Sequence, residues 1–261
     1  MPVAMDLPPQ TPDQPASYYS QPAPAECQIT LAEILKQKPV GKAREGELRD
    51  EAVGEEAFAA GAQRGLQERS RKIYRLLETM AGDLDKMYDF KMLMSGKIMP
   101  PVITEAKATF QHDEDGQSAR AAQTTWEIIV PAKIVASPPT WRDYLAVYIP
   151  DPAGVDPVFL PKSTKEEQAW EQTFCSGYET GYSQADMTFR ENLNRLTRDY
   201  LGMIRFKTLA AQNIVSEPVL EEGRLGVTSK GKRLFVDDRV YKITTQSDWE
   251  EPSKWKTNSG Q

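Results

Sequence analysis

The sequence predicts an α+β fold in which long amphipathic helices pack with short antiparallel strands, and three observations carry that prediction. Apolar residues recur at helical spacing along two long stretches, from Gly46 to about Met87 and from about Thr164 to Val215. Residues of high strand propensity cluster between these stretches, in Thr124–Ser137, and after them, in Leu225–Thr244. Proline dominates the first 27 residues, which hold too little apolar surface to order themselves.

Pro2, Pro8, Pro9, Pro12, Pro15, Pro22 and Pro24 alternate with Gln and Ser, so residues 1–45 read as a proline-rich flexible tether. A bland linker and a docking peptide for a partner are both consistent with that composition. Residues 46–251 follow as a single α+β domain, and residues 252–261 as a frayed C-terminal tail despite Trp255.

In the first helix Leu66, Ile73, Leu77, Met80, Leu84 and Met87 fall on one face. Its first half carries Gly54, Ala57, Gly61 and Gly65 where larger apolar residues are expected, although each helical glycine costs about 1 kcal/mol relative to alanine. The second helix has a stripe of Trp170, Phe174, Tyr178, Phe189, Leu193, Leu196, Tyr200 and Met203, and a small-residue row of Gly177, Gly181 and Ala185. Such rows let another backbone approach closely. Gly61, Gly65, Gly177, Gly181 and Ala185 are therefore candidate helix-packing residues. Either the two rows face each other or each makes room for bulky side chains from a sheet. Arg64, Glu68, Glu171 and Glu179 lie too near for these faces to meet lipid.

Between the helices Trp126, Ile128 and Val130 alternate onto one side of a strand that Pro131 interrupts. Pro100-Pro101 and Pro138-Pro139 hold their predecessors extended and mark entrances to regular structure. The C-terminal part reads as three strands, Leu225–Thr228, Arg233–Val236 and Arg239–Thr244, with SKGK and VDDR as the turns of a small meander.

The formal charge of −6 is spread along the chain, which argues against direct nucleic-acid binding; RSRKIYR at Arg69–Arg75 reads as a solvated helix face. No stretch reaches the roughly 18 apolar residues needed to cross a bilayer. Two cysteines make no disulfide framework, and the sequence leaves open whether Cys27 and Cys175 pair.

Motifs for chemistry fail on inspection. GVTSKGK at Gly226–Lys232 has the spacing of a phosphate-binding loop, but Arg233 stands where Ser or Thr should reach Mg²⁺, and a strand follows instead of a helix. His112, the only histidine, lies in an acidic loop, and Ser183 in GYSQA continues a helical pattern. The calcium-loop register of Asp113, Asp115 and Gly116 puts Ala122 where a bidentate Glu is required. Nothing singles out one carboxylate pair among Asp113-Asp115, Glu166-Glu167 and Asp237-Asp238. No catalytic residue, cofactor or metal ligand is assigned, and the chain is expected not to be an enzyme.

Several ordered segments resemble the DotC family of type IVB secretion systems and its relatives in IncI-type plasmid conjugation. They are GAQRGLQERSRKI (61–73), MPPVI (99–103), PPTWRDYL (138–145), LPKSTKEEQAW (160–170), the spaced Gly177, Gly181, Gln184 and Ala185, NLNRLTRDYLGM (192–203) and LGVTSKGKRLFVDDRVYKIT (225–244). The resemblance implies a structural component of an outer-membrane-associated core complex, working beside DotD-like and DotH-like partners on the periplasmic face of the outer membrane. It also implies a lipid-modified cysteine, whereas Cys27 follows Ala23-Pro24-Ala25-Glu26, which is not a lipobox. Pro138, Pro139, Trp141 and Arg142 form a candidate interface, with a core corner as the preferred reading of Trp141. Two other functions stand beside this one: an envelope hydrolase acting on peptidoglycan, and a small adaptor that presents its proline-rich tail to a partner.

Overall fold

The computed structural model describes residues 47–112, 118–147 and 154–256, together with Cys27, Ile34, Lys36, Asp115, Ile149 and Asp151. Most of the expected tether, the greater part of the acidic loop after His112, and residues 257–261 lie outside these. Helix makes up about 50% of the chain and strand 27%, and the strands pair only in antiparallel sheets, which makes the fold α+β.

Helix α1 spans Glu47–Thr79 and α2 spans Ala81–Met87. After a short 3-10 turn at Phe90–Leu93 come β1 (Ile98–Met99), β2 (Val102–His112), β3 (Ala119–Val130), β4 (Lys133–Ile134) and the short α3 (Trp141–Leu145). Helix α4 runs from Thr164 to Ala211, followed by β5 (Val219–Lys230), β6 (Arg233–Thr245) and a 3-10 turn at Pro252–Lys254. Among the described residues the strands form three two-stranded sheets, β1 with β4, β2 with β3 and β5 with β6.

By its internal contacts the chain groups into two compact units. The first takes residues up to Arg71 and Ile149–Asp186; the second takes Lys72–Tyr148 and Met187–Gln261. Each long helix runs from one unit into the other.

The core of the first unit gathers Val53, Ala57 and Ala60 from α1, Trp170, Phe174 and Tyr178 from α4, and Val155 and Leu160 from the segment before α4. Cys27 and Ile34 belong to it as well, both buried, so these two residues of the expected tether are packed parts of the fold.

The second unit has two cores. One packs Leu77, Leu84, Phe90, Met99, Val102, Trp141, Leu145, Leu196 and Met203, with Phe90 and Tyr144 stacked at 5.7 Å. The other places Ile103 of β2 against Phe206, Leu209, Ile214 and Val215. Gly202 sits where α4 meets β2: a Cβ there would lie 2.4 Å from Val102 Cγ1. Arg205 secures the same contact by donating to the Ile103 carbonyl at 2.7 Å.

Several expectations need correction. The first helix breaks at Met80, whose φ of −101° and ψ of 7° depart from the helical region, and α2 starts afresh at Ala81. The break takes Met80 and Met87 off the buried face, and both are exposed. The three-stranded meander is instead one long hairpin. VDDR makes no turn: Asp237 adopts φ 56°, the register shifts around Gly226, and the chain continues through an irregularity of β-bulge type. The turn expected at SKGK is present, with Gly231 at φ 62°. Strand β2, absent from the sequence reading, pairs along the length of β3. Beyond the last strand, the Lys256 N–H donates to the Gln212 carbonyl at 2.8 Å.

Candidate functional site

Three features present themselves as places where this protein could act, and the first is a helix crossing in the first unit. Cβ atoms built on Gly61 and Gly65 would lie 2.0 and 2.1 Å from the backbone oxygens of Phe174 and Tyr178. Reciprocally, those on Gly177 and Gly181 would lie 2.2 and 1.9 Å from the backbone oxygens of Phe58 and Ala62. The two glycine rows therefore face each other, backbone to backbone, and Ala185 is buried one turn further along. Only glycine permits that approach, which explains why both helices accept its propensity cost.

Polar bonds lock the crossing from the side. Arg69 pairs with Asp186 at 2.6 Å and lies over the Tyr182 ring, and the Tyr178 hydroxyl donates to Glu68 at 2.6 Å. Arg49 donates to both carboxylate oxygens of Glu166. Burial works to raise the Glu166 carboxyl, but the Lys162 N–H at 2.8 Å and the Arg49 guanidinium outweigh it and hold the group below the usual carboxylate range. A disulfide joins Cys27 to Cys175 of α4, with Cα atoms 5.9 Å apart.

The second feature is the proline corner of the second unit. Pro138 is exposed and Pro139 half-buried. Asp143 accepts from the Thr140 N–H and hydroxyl at 2.6 and 2.9 Å and so starts α3. Trp141 is fully buried and its indole N–H donates to Asp85 at 2.7 Å. Arg142 lies over that indole and pairs with Glu78 and Asp85. Trp141 is thus a buried core corner, while Arg142 pairs with one carboxylate on α1 and one on α2. Nearby, burial and then Asp199 push the Tyr144 phenol well above its ordinary value.

The third feature was not foreseen as a site. Among the described residues no third strand pairs with hairpin β5–β6, so within this sheet the outer edge of each strand carries backbone groups without a ladder partner. Towards its turn Val227 pairs with Val236 and Ser229 with Leu234, which puts Val227, Leu234 and Val236 on one face. All three are more than 60% exposed, and Phe235 is exposed on the opposite face. At the bulge the Thr228 hydroxyl bonds the Asp238 carboxylate, and Arg239 joins Asp237 to Glu222. The signal available in the sequence was the run of apolar residues on both sides of Asp237-Asp238, which the turn reading divided.

No group of His, Cys, Asp and Glu among the described residues has the arrangement of a metal site. No helix among them is long and apolar enough to cross a membrane. Ser183 is a half-buried residue of α4. Gly226–Lys232 lies in the hairpin and its turn, with no helix N-terminus following it.

Residues 47–257, which take in both long helices and all three sheets, match a family described as type IV secretory system, conjugal DNA-protein transfer. The protein is accordingly a component of a conjugation-related type IV secretion system. It belongs to the TraI family of those systems. A search of curated proteins found none that matches the chain.

Proposed function

We propose that this chain is a non-catalytic structural component of the outer-membrane-associated core complex of a type IVB secretion or conjugation system, DotC-like in role, that helps assemble and position the transfer channel. Its partners in this reading are DotD-like and DotH-like proteins. The observation that carries it is the β5–β6 hairpin, which exposes Val227, Leu234 and Val236 on one face near its turn and pairs with no third strand among the described residues. Two-stranded ribbons are marginal on their own, and open edges and exposed apolar side chains are both satisfied by joining another protein. Fully burying Val227, Leu234 and Val236 would contribute about 1.5–3 kcal/mol each.

The Cys27–Cys175 disulfide supports the periplasmic location, since such bonds persist in oxidising compartments. A sulfur engaged in that bond cannot also carry a thioether lipid, so any lipid anchor of this reading lies elsewhere than Cys27.

The test is to purify the tagged protein from envelope fractions of cells carrying its native transfer system and identify what accompanies it. Recovery of DotD-like and DotH-like proteins, lost when Leu234 and Val236 are both changed to Ser, is the expected result. Recovery of the protein alone, or from the cytoplasmic fraction, would overturn the reading.

A further inference from the structure

Of the five tryptophans in the chain, Trp141 and Trp170 are buried in cores, while Trp126, Trp249 and Trp255 line one open cavity of about 350 Å³ that lies wholly within the second unit. Small-molecule sites occupy about 300–1,000 Å³, so the volume suits such a ligand. One wall is a face of the β2–β3 hairpin. Gln111 pairs with Arg120 across the strands, and Ala122 and Trp126 follow Arg120 at even spacing, so all four project to one side. The small side chain of Ala122 leaves room between Arg120 and the Trp126 ring, which itself packs against the core of Ile103 and Phe206. The other wall is Trp249 and Trp255, 40 and 41% exposed, with the Trp255 indole N–H fixed to the Glu250 carbonyl at 2.9 Å.

We propose that this cavity binds a glycan of N-acetylated pyranose rings bearing carboxylate substituents, the chemistry of a cell-wall glycan strand. A pyranose ring has a flat face of C–H groups, for which an exposed indole is an apolar platform, and an edge of hydroxyls that both donate and accept. Gln111 offers an amide with both functions. Arg120 beside it is the one charged side chain among the described lining residues, and its planar fork of donors matches a carboxylate. An indole already held in place loses little freedom on binding. A nucleic-acid strand would also stack on indoles, but a groove that follows its backbone needs a run of cations, and this one has a single arginine. A proline-rich peptide would stack as well, but prolines carry no N–H, which leaves the Gln111 carbonyl unmatched. That the glycan belongs to the cell wall rests on the envelope location proposed above; the binding chemistry does not.

The experiment titrates the full chain with a soluble disaccharide-tetrapeptide of the cell wall and with neutral chitotriose, followed by calorimetry and tryptophan emission. Saturable binding of both sugars is expected, with the acidic fragment the tighter. Trp249→Ala should weaken both about tenfold or more through loss of one stacking platform. Arg120→Gln should abolish the preference for the acidic fragment, and Arg120→Lys should retain it in part. Arg120 is exposed on the hairpin, so its variants keep the test valid if the loss of Trp249 lowers the melting temperature. No saturable response to either sugar overturns the proposal. So do equal affinity for the two, undiminished binding by a folded Trp249→Ala variant, and a response confined to a proline-rich peptide or to oligothymidylate. Absence of sugar binding would leave co-purification with DotD-like and DotH-like proteins unaffected, and failed co-purification would leave the affinities unaffected, so the two readings fail separately.

Discussion

Gly65 lies so close to Tyr178 that a Cβ on the glycine would stand 2.1 Å from the tyrosine carbonyl oxygen, well inside any contact that real side chains make. The obstruction is backbone, which cannot turn aside as a flexible side chain can.

Gly65→Ala and Gly181→Ala should therefore each lower stability, by about 1–3 kcal/mol or more, even though alanine is the better helix former by about 1 kcal/mol. Gly54→Ala is the matched control: no described residue lies within 4 Å of its Cβ position, so the same substitution should stabilise. Thermal unfolding followed by circular dichroism separates the two outcomes.

Reduction of the Cys27–Cys175 bond, or its removal by Cys175→Ser, should cost about 3–5 kcal/mol, since the cysteines are 148 residues apart and closure of so long a loop restrains the unfolded chain strongly. Urea unfolding with and without reductant measures the difference. An unchanged midpoint would mean that the bond is not formed in solution.

Trp141→Phe should cost about 1–3 kcal/mol, because it removes a charge-assisted hydrogen bond to Asp85 and leaves space in a filled core. Pro138→Ala, at an exposed position, should change stability by less than about 0.5 kcal/mol. Equilibrium denaturation of the two variants provides the comparison.

Glu166 gives a pH signature. Its folded-state carboxyl is held below the unfolded value of about 4.3, so the stability it contributes is fully present above that value and is lost as pH falls through the lower, folded one. Glu166→Gln should be less stable at neutral pH and should show a shallower decline in acid. Tyr144 runs the other way: its raised phenol favours the folded chain below about pH 10, and that contribution drains away as alkali ionises the unfolded state. Tyr144→Phe should flatten the alkaline limb of the stability profile.

The glycine rows were legible because spacing within one helix is local information, and Gly61, Gly65, Gly177 and Gly181 lie three to four residues from their neighbours in each row. That the rows meet each other instead of a sheet is a tertiary fact with no local trace. Strand β2 was missed because Ala106, Lys107 and Ala108 have low strand propensity; pairing with β3 overrides it. Asp237-Asp238 resembles a turn to any local reading, and only the partner strand, with Gly226 at φ 75°, turns it into a bulge. The disulfide joins residues more than a hundred positions apart, which no local pattern reports.

The separation of 148 positions between the paired cysteines also imposes an order on biosynthesis. Cys27 leaves the ribosome long before Cys175 exists, and the β2–β3 hairpin and α3 are made in the interval. The Cys27 thiol therefore stays without its partner until α4 is made, and the first unit cannot be covalently closed before much of the second has been synthesised.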